Sequence, residues 1–250
     1  MNTRNTTASG KSRSGAIIGR ALAAALATAA LAGCTTQVSG TASPSADLLS
    51  GPTPVPASSL APMLAPSTTA ARIVGADHLK VTDSASEMLA GTPYLAQQRC
   101  LGPWFPVQAP AYRSSGYTGV EVRSLDDSTS DALGSNDHGV IQAVVAFPAA
   151  ADARTYLEDA TETWRECGSQ TVTYQRPGNP EQRWDLGAAK TTDNTVSMTQ
   201  TPQGGRGWMC DRAMQVENNI VIDTMVCATR SAGQALDLAG AIAKNLPTLP

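Results

Sequence analysis

Apolar residues recur at every third or fourth position over residues 148–166. Ala153, Leu157, Ala160, Trp164 and Cys167 share one face there, and Asp152, Glu158, Asp159, Glu162 and Arg165 fall mostly on the other. That spacing predicts an amphipathic helix. A second helix is predicted over 231–246, where Ala235, Leu236, Ala239, Ile242, Ala243 and Leu246 form one stripe that stops before Pro247. A third, short one is predicted at 84–91. Ser84 and Glu87 have the spacing of a capping box, Met88 and Leu89 follow, and Gly91 is the stop. Between these helices the pattern changes to strands. Residues 139–147, apolar apart from Gln142, read as a buried strand entered from a polar turn at 126–137, and 119–125 alternate and are expected to pair with it. Residues 195–201, 208–216 and 220–228 read as a meander with turns at 202–207 and at Asn218-Asn219. Asn-Asn favours the positive φ values of a two-residue hairpin turn. Strands adjacent in sequence with helices set apart predict an α+β fold with a largely antiparallel sheet and about three helices.

Five cysteines are present. With Cys34 set aside, Cys100, Cys167, Cys210 and Cys227 allow three pairings. Counting outward from the Asn218-Asn219 turn sets Cys210 directly opposite Cys227. Pair types alternate from Glu217 and Ile220, so the cysteines fall at a non-hydrogen-bonded site, where Cα atoms lie ~4.5 Å apart, near the short end of disulfide reach. The remaining pair is Cys100–Cys167. A cysteine metal site fits poorly, because no Cys-x-x-Cys occurs.

The front of the chain alters the cellular context. Residues 1–33 read as a secretory signal: a basic start, then an apolar run from Ala21 to Ala32, too short to span a ~30 Å hydrocarbon core at ~1.5 Å per residue. The run ends Leu31-Ala32-Gly33-Cys34, which has the form of a bacterial lipobox, so Cys34 is expected to carry diacylglycerol and an N-acyl chain. Two or more chains hold a protein firmly to a membrane where one is marginal. Residues 34–71 are then expected to be the lipidated cysteine followed by a disordered linker. From Thr35 to Ala71 there are six prolines, no aromatic, no Lys or Arg and one acid, Asp47. The folded domain is expected over 72–250. Arg4, Lys11, Arg13 and Arg20 precede every acid, so 14 bases face 21 acids in the rest of the chain. That balance argues against a nucleic-acid partner.

The order Cys100, then Gly139 to Phe147 running into Pro148-Ala-Ala-Ala-Asp-Ala-Arg154, then Trp164-Arg-Glu-Cys167, resembles the PknH-like extracellular domain of mycobacteria. Cys210-Asp-Arg-Ala213, Glu217-Asn-Asn-Ile-Val-Ile-Asp223, Cys227 and a final Ala-rich helix continue the likeness. The resemblance covers about residues 72–250. It implies an external sensor module of a receptor Ser/Thr kinase, found also on free lipoproteins. It further implies an antiparallel sheet, a cleft open to solvent, and bridges joining the first cysteine to the second and the third to the fourth. No ligand contacts carry over, and these 250 residues hold no kinase domain.

Candidate chemistry is sparse. His78 and His138 are the two histidines and read as turn residues exposed to solvent. No Gly-x-Ser-x-Gly elbow, His-Glu-x-x-His or phosphate-binding glycine loop occurs. Gly204-Gly205-Arg206-Gly207 reads as a hairpin connection. Asp211, Arg212 and Asp223 are candidates for a polar site, but the register puts Arg212 and Asp223 on one face a diagonal apart, and a surface cross-strand ion pair is the preferred reading of that placement. Trp104, Trp164, Trp184 and Trp208 are core or cleft-wall candidates, and Tyr112 and Tyr117 candidates to edge a groove. The expected function is capture of a small molecule, glycan fragment or protein by a lipid-anchored module on the outer face of the cell membrane. No catalytic residue, metal or cofactor is expected. The alternatives are a cell-wall hydrolase or transferase with an unfamiliar site, and an adaptor docking on another envelope protein.

Overall fold

The computed structural model describes residues 52–128 and 137–247. The signal segment, the lipobox with Cys34, the linker as far as residue 51 and the tip of the 126–137 turn lie outside the described residues.

Among the described residues, nine strands form a single antiparallel sheet. They are β1 (Lys80–Ala85), β2 (Gly119–Asp126), β3 (His138–Ala146), β4 (Thr171–Tyr174), β5 (Gln182–Leu186), β6 (Lys190–Thr191), β7 (Thr195–Pro202), β8 (Trp208–Glu217) and β9 (Ile220–Thr229). Their order is β1-β2-β3-β9-β8-β7-β5-β4, with β6 beside β7. The helices are α1 (Ser67–Val74), the single turn α2 (Leu101–Trp104), α3 (Ala150–Cys167) and α4 (Gln234–Ala243). The fold is α+β, as the alternation of the sequence predicts.

Because side chains alternate along a strand, the central strands feed two cores. Val120, Val122, Ala143, Val145, Met214, Val216 and Val221 pack under α3, with Ala153, Leu157 and Trp164 of that helix. Leu125, Val140, Val144, Ala213, Ile220, Ile222 and Val226 pack on the opposite face with α1 and α4. Both faces of the central strands are therefore covered, and the polar residues on them, Gln142, Asp211, Arg212, Asp223 and Thr224, are buried as well.

Two expectations fail. Residues 84–91 form no helix: Lys80–Ala85 is the edge strand β1, paired with β2. The capping-box spacing is overridden because β2 supplies the backbone partners, with Ser84 opposite Arg123 in the ladder rather than at a helix start. The fold also starts well before residue 72. Val55, Leu60, Met63, Leu64, Ala65, Ala70 and Ala71 are buried in the α4-side core. Buried amides serve this Pro-rich run in place of strand partners. Asn219 accepts from Val55 N–H (2.7 Å) and donates to Val55 O (3.0 Å) and Phe147 O (2.7 Å). Gln142 accepts from Ala65 N–H (2.7 Å) and donates to Ala65 O (2.9 Å). Prolines that suit the folded path also lower the entropy lost on ordering it, so composition alone misreads the segment as disordered.

The β8–β9 register is the one counted from the turn, with Glu217 opposite Ile220 and Cys210 opposite Cys227. Only Asn218 of the turn pair takes positive φ (53°); Asn219 is spent on Val55. Cys210 is bonded to Cys227 and Cys100 to Cys167, with Cα separations of 4.0 and 5.7 Å.

Candidate functional site

On the α3 face a cavity of about 370 Å³ opens to solvent. One wall is α3, through Tyr156, Asp159, Ala160, Thr163 and Trp164. The other is the irregular segment 98–115, through Arg99, Gly102, Pro103, Tyr112, Arg113 and Ser115. The Cys100–Cys167 bridge ties the start of that segment to the end of α3, so the two walls are covalently joined at one end.

Three buried polar side chains on three adjacent strands bolt the segment to the sheet. Gln200 on β7 donates to Pro103 O (2.8 Å) and Trp104 O (3.0 Å). Arg212 on β8 donates to Gly102 O (2.9 Å). Asp223 on β9 accepts from Val107 N–H (2.9 Å) and Tyr112 O–H (3.1 Å) through one carboxylate oxygen. Its other oxygen takes Arg212 Nη1 at 2.7 Å, and that nitrogen also reaches Thr224 O at 2.6 Å. Val107 is held at φ 46°, a region costly for a β-branched residue, and its bond to the carboxylate helps to hold it there.

The Arg212–Asp223 pair is therefore buried, with side-chain exposures of 0% and 1%, and corrects the expectation of a surface ion pair. Register placed the two residues a diagonal apart; what register does not carry is the 98–115 segment and α3 lying over them. Trp164 stacks on the guanidinium, 5.0 Å from ring centroid to Cζ. Asp223 reaches the cavity floor beside Tyr112, which stacks on Tyr156 at 4.4 Å. Burial, and then the Asp223 charge, push both tyrosine hydroxyls well above their ordinary pKa. Both stay protonated at neutral pH, and Tyr112 is the one that donates to Asp223. At the mouth stand Arg113, exposed, and Asp159 on the facing helix. Ser115 lines the cavity, and its Oγ is buried with no hydrogen-bond partner among the described residues. Aromatic walls with a few convergent donors and acceptors are what a small-ligand site requires.

Residues 55–245 match the family described as the PknH-like extracellular domain. The chain belongs to that family. The PknH-like domain here begins where Val55 enters the core, in keeping with the early start of the fold. Among curated proteins, the serine/threonine-protein kinase PknH of Mycobacterium tuberculosis (strain ATCC 25618 / H37Rv) is 31% identical over 192 residues, covering 76% of this chain and 30% of the kinase. The corresponding kinase of Mycobacterium bovis is 30% identical over the same length, covering 76% and 31%. The chain thus spans about a third of the length of these relatives. The crystal structure of the extracellular domain of PknH from Mycobacterium tuberculosis superposes with a TM-score of 0.72 at 28% identity, covering 78% of this chain and 97% of that one.

Other sequence candidates lie apart from the cleft of this PknH-like domain. Asp211 faces the opposite core, where it accepts from Ser231 Oγ (2.9 Å) at the start of α4. His78 is exposed before β1. His138 is half-buried rather than exposed, with Nδ1 2.6 Å from Asp127 Oδ2. Partial burial raises Asp127, but the His138 ring and the backbone N–H groups of His138 and Asp137 outweigh it and hold the carboxyl below its ordinary value. Trp164 lines the cleft, and Trp104, Trp184 and Trp208 are half-buried outside it. Tyr112 lines it, and Tyr117 meets Tyr112 edge-on at 6.3 Å. The 202–207 glycines connect β7 to β8. Among the described residues no group of His, Cys, Asp or Glu is placed to hold a metal, and no helix is long and apolar enough to cross a membrane. Gln200, Val107 and Ser115 were absent from the sequence reading, and nothing in their local pattern marks them.

Proposed function

We propose that this chain is a lipid-anchored, extracytoplasmic binding module that captures a small ligand without any covalent step. The site is the cleft between α3 and residues 98–115. The observation that carries the reading is the cleft itself: about 370 Å³, floored by Tyr112 and Asp223 and walled by Tyr156 and Trp164. Kinship with a domain that PknH carries outside the cell supports sensing as its role. Cys34 supplies the anchor.

A thermal-shift screen of the full chain in detergent against envelope metabolites and wall fragments tests the binding. A ligand at 100 times its Kd stabilises the folded state by about 2.7 kcal/mol. Ala160→Phe, which fills the cleft from α3, should abolish the shift. Silence across the panel, or a shift that survives Ala160→Phe, would remove the cleft from the proposal.

The anchor is tested separately. Cys34→Ala should move the protein from the detergent phase to the aqueous phase on temperature-induced partitioning, whereas unchanged partitioning contradicts lipidation.

A further inference from the structure

The two walls of the cleft meet at one end and part at the other. At the closed end the Cys100–Cys167 bridge joins them, and Arg99 of the 98–115 segment lies 3.3 Å from Glu166 of α3. About two turns nearer the start of α3 stands Asp159, on the same wall as Tyr156, Ala160 and Thr163. Arg113 stands on the other wall. Here the opposite charges do not meet. Neither side chain makes an ion pair or a hydrogen bond among the described residues.

Both charges are carried on ordered backbone. Arg113 is the second residue of a turn closed by Ser115 N–H donating to Tyr112 O (3.1 Å), with Ser114 at φ 65°. Tyr112, its neighbour, is pinned through its hydroxyl to Asp223. Asp159 sits in the middle of α3. Leu101, Pro103, Ala160, Trp164 and Met214 give the cavity an apolar interior. Asp223 adds no free charge to its floor, because Arg212 takes one oxygen and Val107 N–H and Tyr112 O–H share the other.

We propose, resting on the binding role given to this cleft, that it takes a small zwitterion of the amino-acid or short-peptide class. The ligand's carboxylate meets Arg113, its ammonium meets Asp159, and an apolar side chain fills the interior. A cation on one wall and an anion on the other attract both ends of such a molecule. An ion of one sign is drawn to one wall and repelled by the other. An uncharged ligand forgoes the stronger, charge-assisted hydrogen bonds that both walls offer. At about 370 Å³ the cavity is near the small end of ligand pockets, a size for one or two residues rather than a polymer.

The test is titration calorimetry of the full chain, in detergent, with phenylalanine, tryptophan and the dipeptide phenylalanyl-leucine, each beside its N-acetyl and C-terminal amide forms. At least one free zwitterion should bind, and blocking either end should weaken it about tenfold. Arg113→Gln should weaken the free form about tenfold and leave the amide form unaffected. Asp159→Asn should do the same and leave the N-acetyl form unaffected. Both positions are exposed, so neither variant should move the melting temperature of the unliganded chain. No binding by any of the free zwitterions would overturn the proposal. So would binding indifferent to the blocked ends or to the two variants. If the zwitterions stay silent while an uncharged wall fragment gives a thermal shift that Ala160→Phe abolishes, the zwitterion falls and the binding role of the cleft stands.

Discussion

Arg212→Ala is expected to lower the stability of the fold by about 3–5 kcal/mol, the cost of leaving one partner of a buried ion pair behind. Asp223 would remain 1% exposed, with only Val107 N–H and Tyr112 O–H to hold its charge. Gly102 O and Thr224 O would lose their donor, and Trp164 its stacked cation. Against a usual total of about 5–15 kcal/mol, the urea midpoint should fall by a large fraction. Replacing both partners, as Arg212→Met with Asp223→Leu, removes the buried charge as well and should recover much of the loss, since well-packed apolar substitutes for buried pairs are often neutral or better. A single variant with the wild-type midpoint would show that water reaches the pair and that the cleft floor is not sealed.

Opening the Cys100–Cys167 bridge, as Cys100→Ser with Cys167→Ser, should cost about 4 kcal/mol by the loop-entropy estimate for a separation of 67 residues. The matching change at Cys210 and Cys227, whose separation is 17, should cost about 3 kcal/mol. The order is the firmer part of the prediction. Residues 98–115 hold little regular structure beyond α2, so the first bridge is a main tie between the cleft walls. The second joins strands already paired along their whole length. Urea midpoints of the two double variants decide it, and a larger loss at Cys210 and Cys227 would contradict this account of what holds the cleft together.

Much of the α3-side architecture was readable in advance for a local reason. Ala153, Leu157 and Trp164 announce a helix face because helical spacing is a property of neighbours in sequence, and Cys210 meets Cys227 because a two-residue turn determines every pair beyond it. The likeness carried by Trp164-Arg-Glu-Cys167 and Cys210-Asp-Arg-Ala213 led to the same family that the comparisons reached. The failures share the opposite character. Ser84 and Glu87 have a helix-start spacing, but β2, more than thirty residues on, provides stronger partners for that backbone. Val55 to Ala71 looks like tether until Asn219 and Gln142, from distant strands, supply the hydrogen bonds that a proline-rich chain cannot make for itself.

The chain by itself determined its class, its hairpin register and, through that register, the Cys210–Cys227 pairing, because each depends on spacing along one stretch of backbone; Cys100–Cys167 followed as the remaining pair. Tertiary structure alone decided that Arg212 and Asp223 are buried and that Tyr112, Tyr156 and Trp164 close around one cavity. Burial and convergence depend on which distant segment comes to lie over a residue. For Asp223 that segment is residues 102–112, more than a hundred positions away, and no local pattern encodes its arrival.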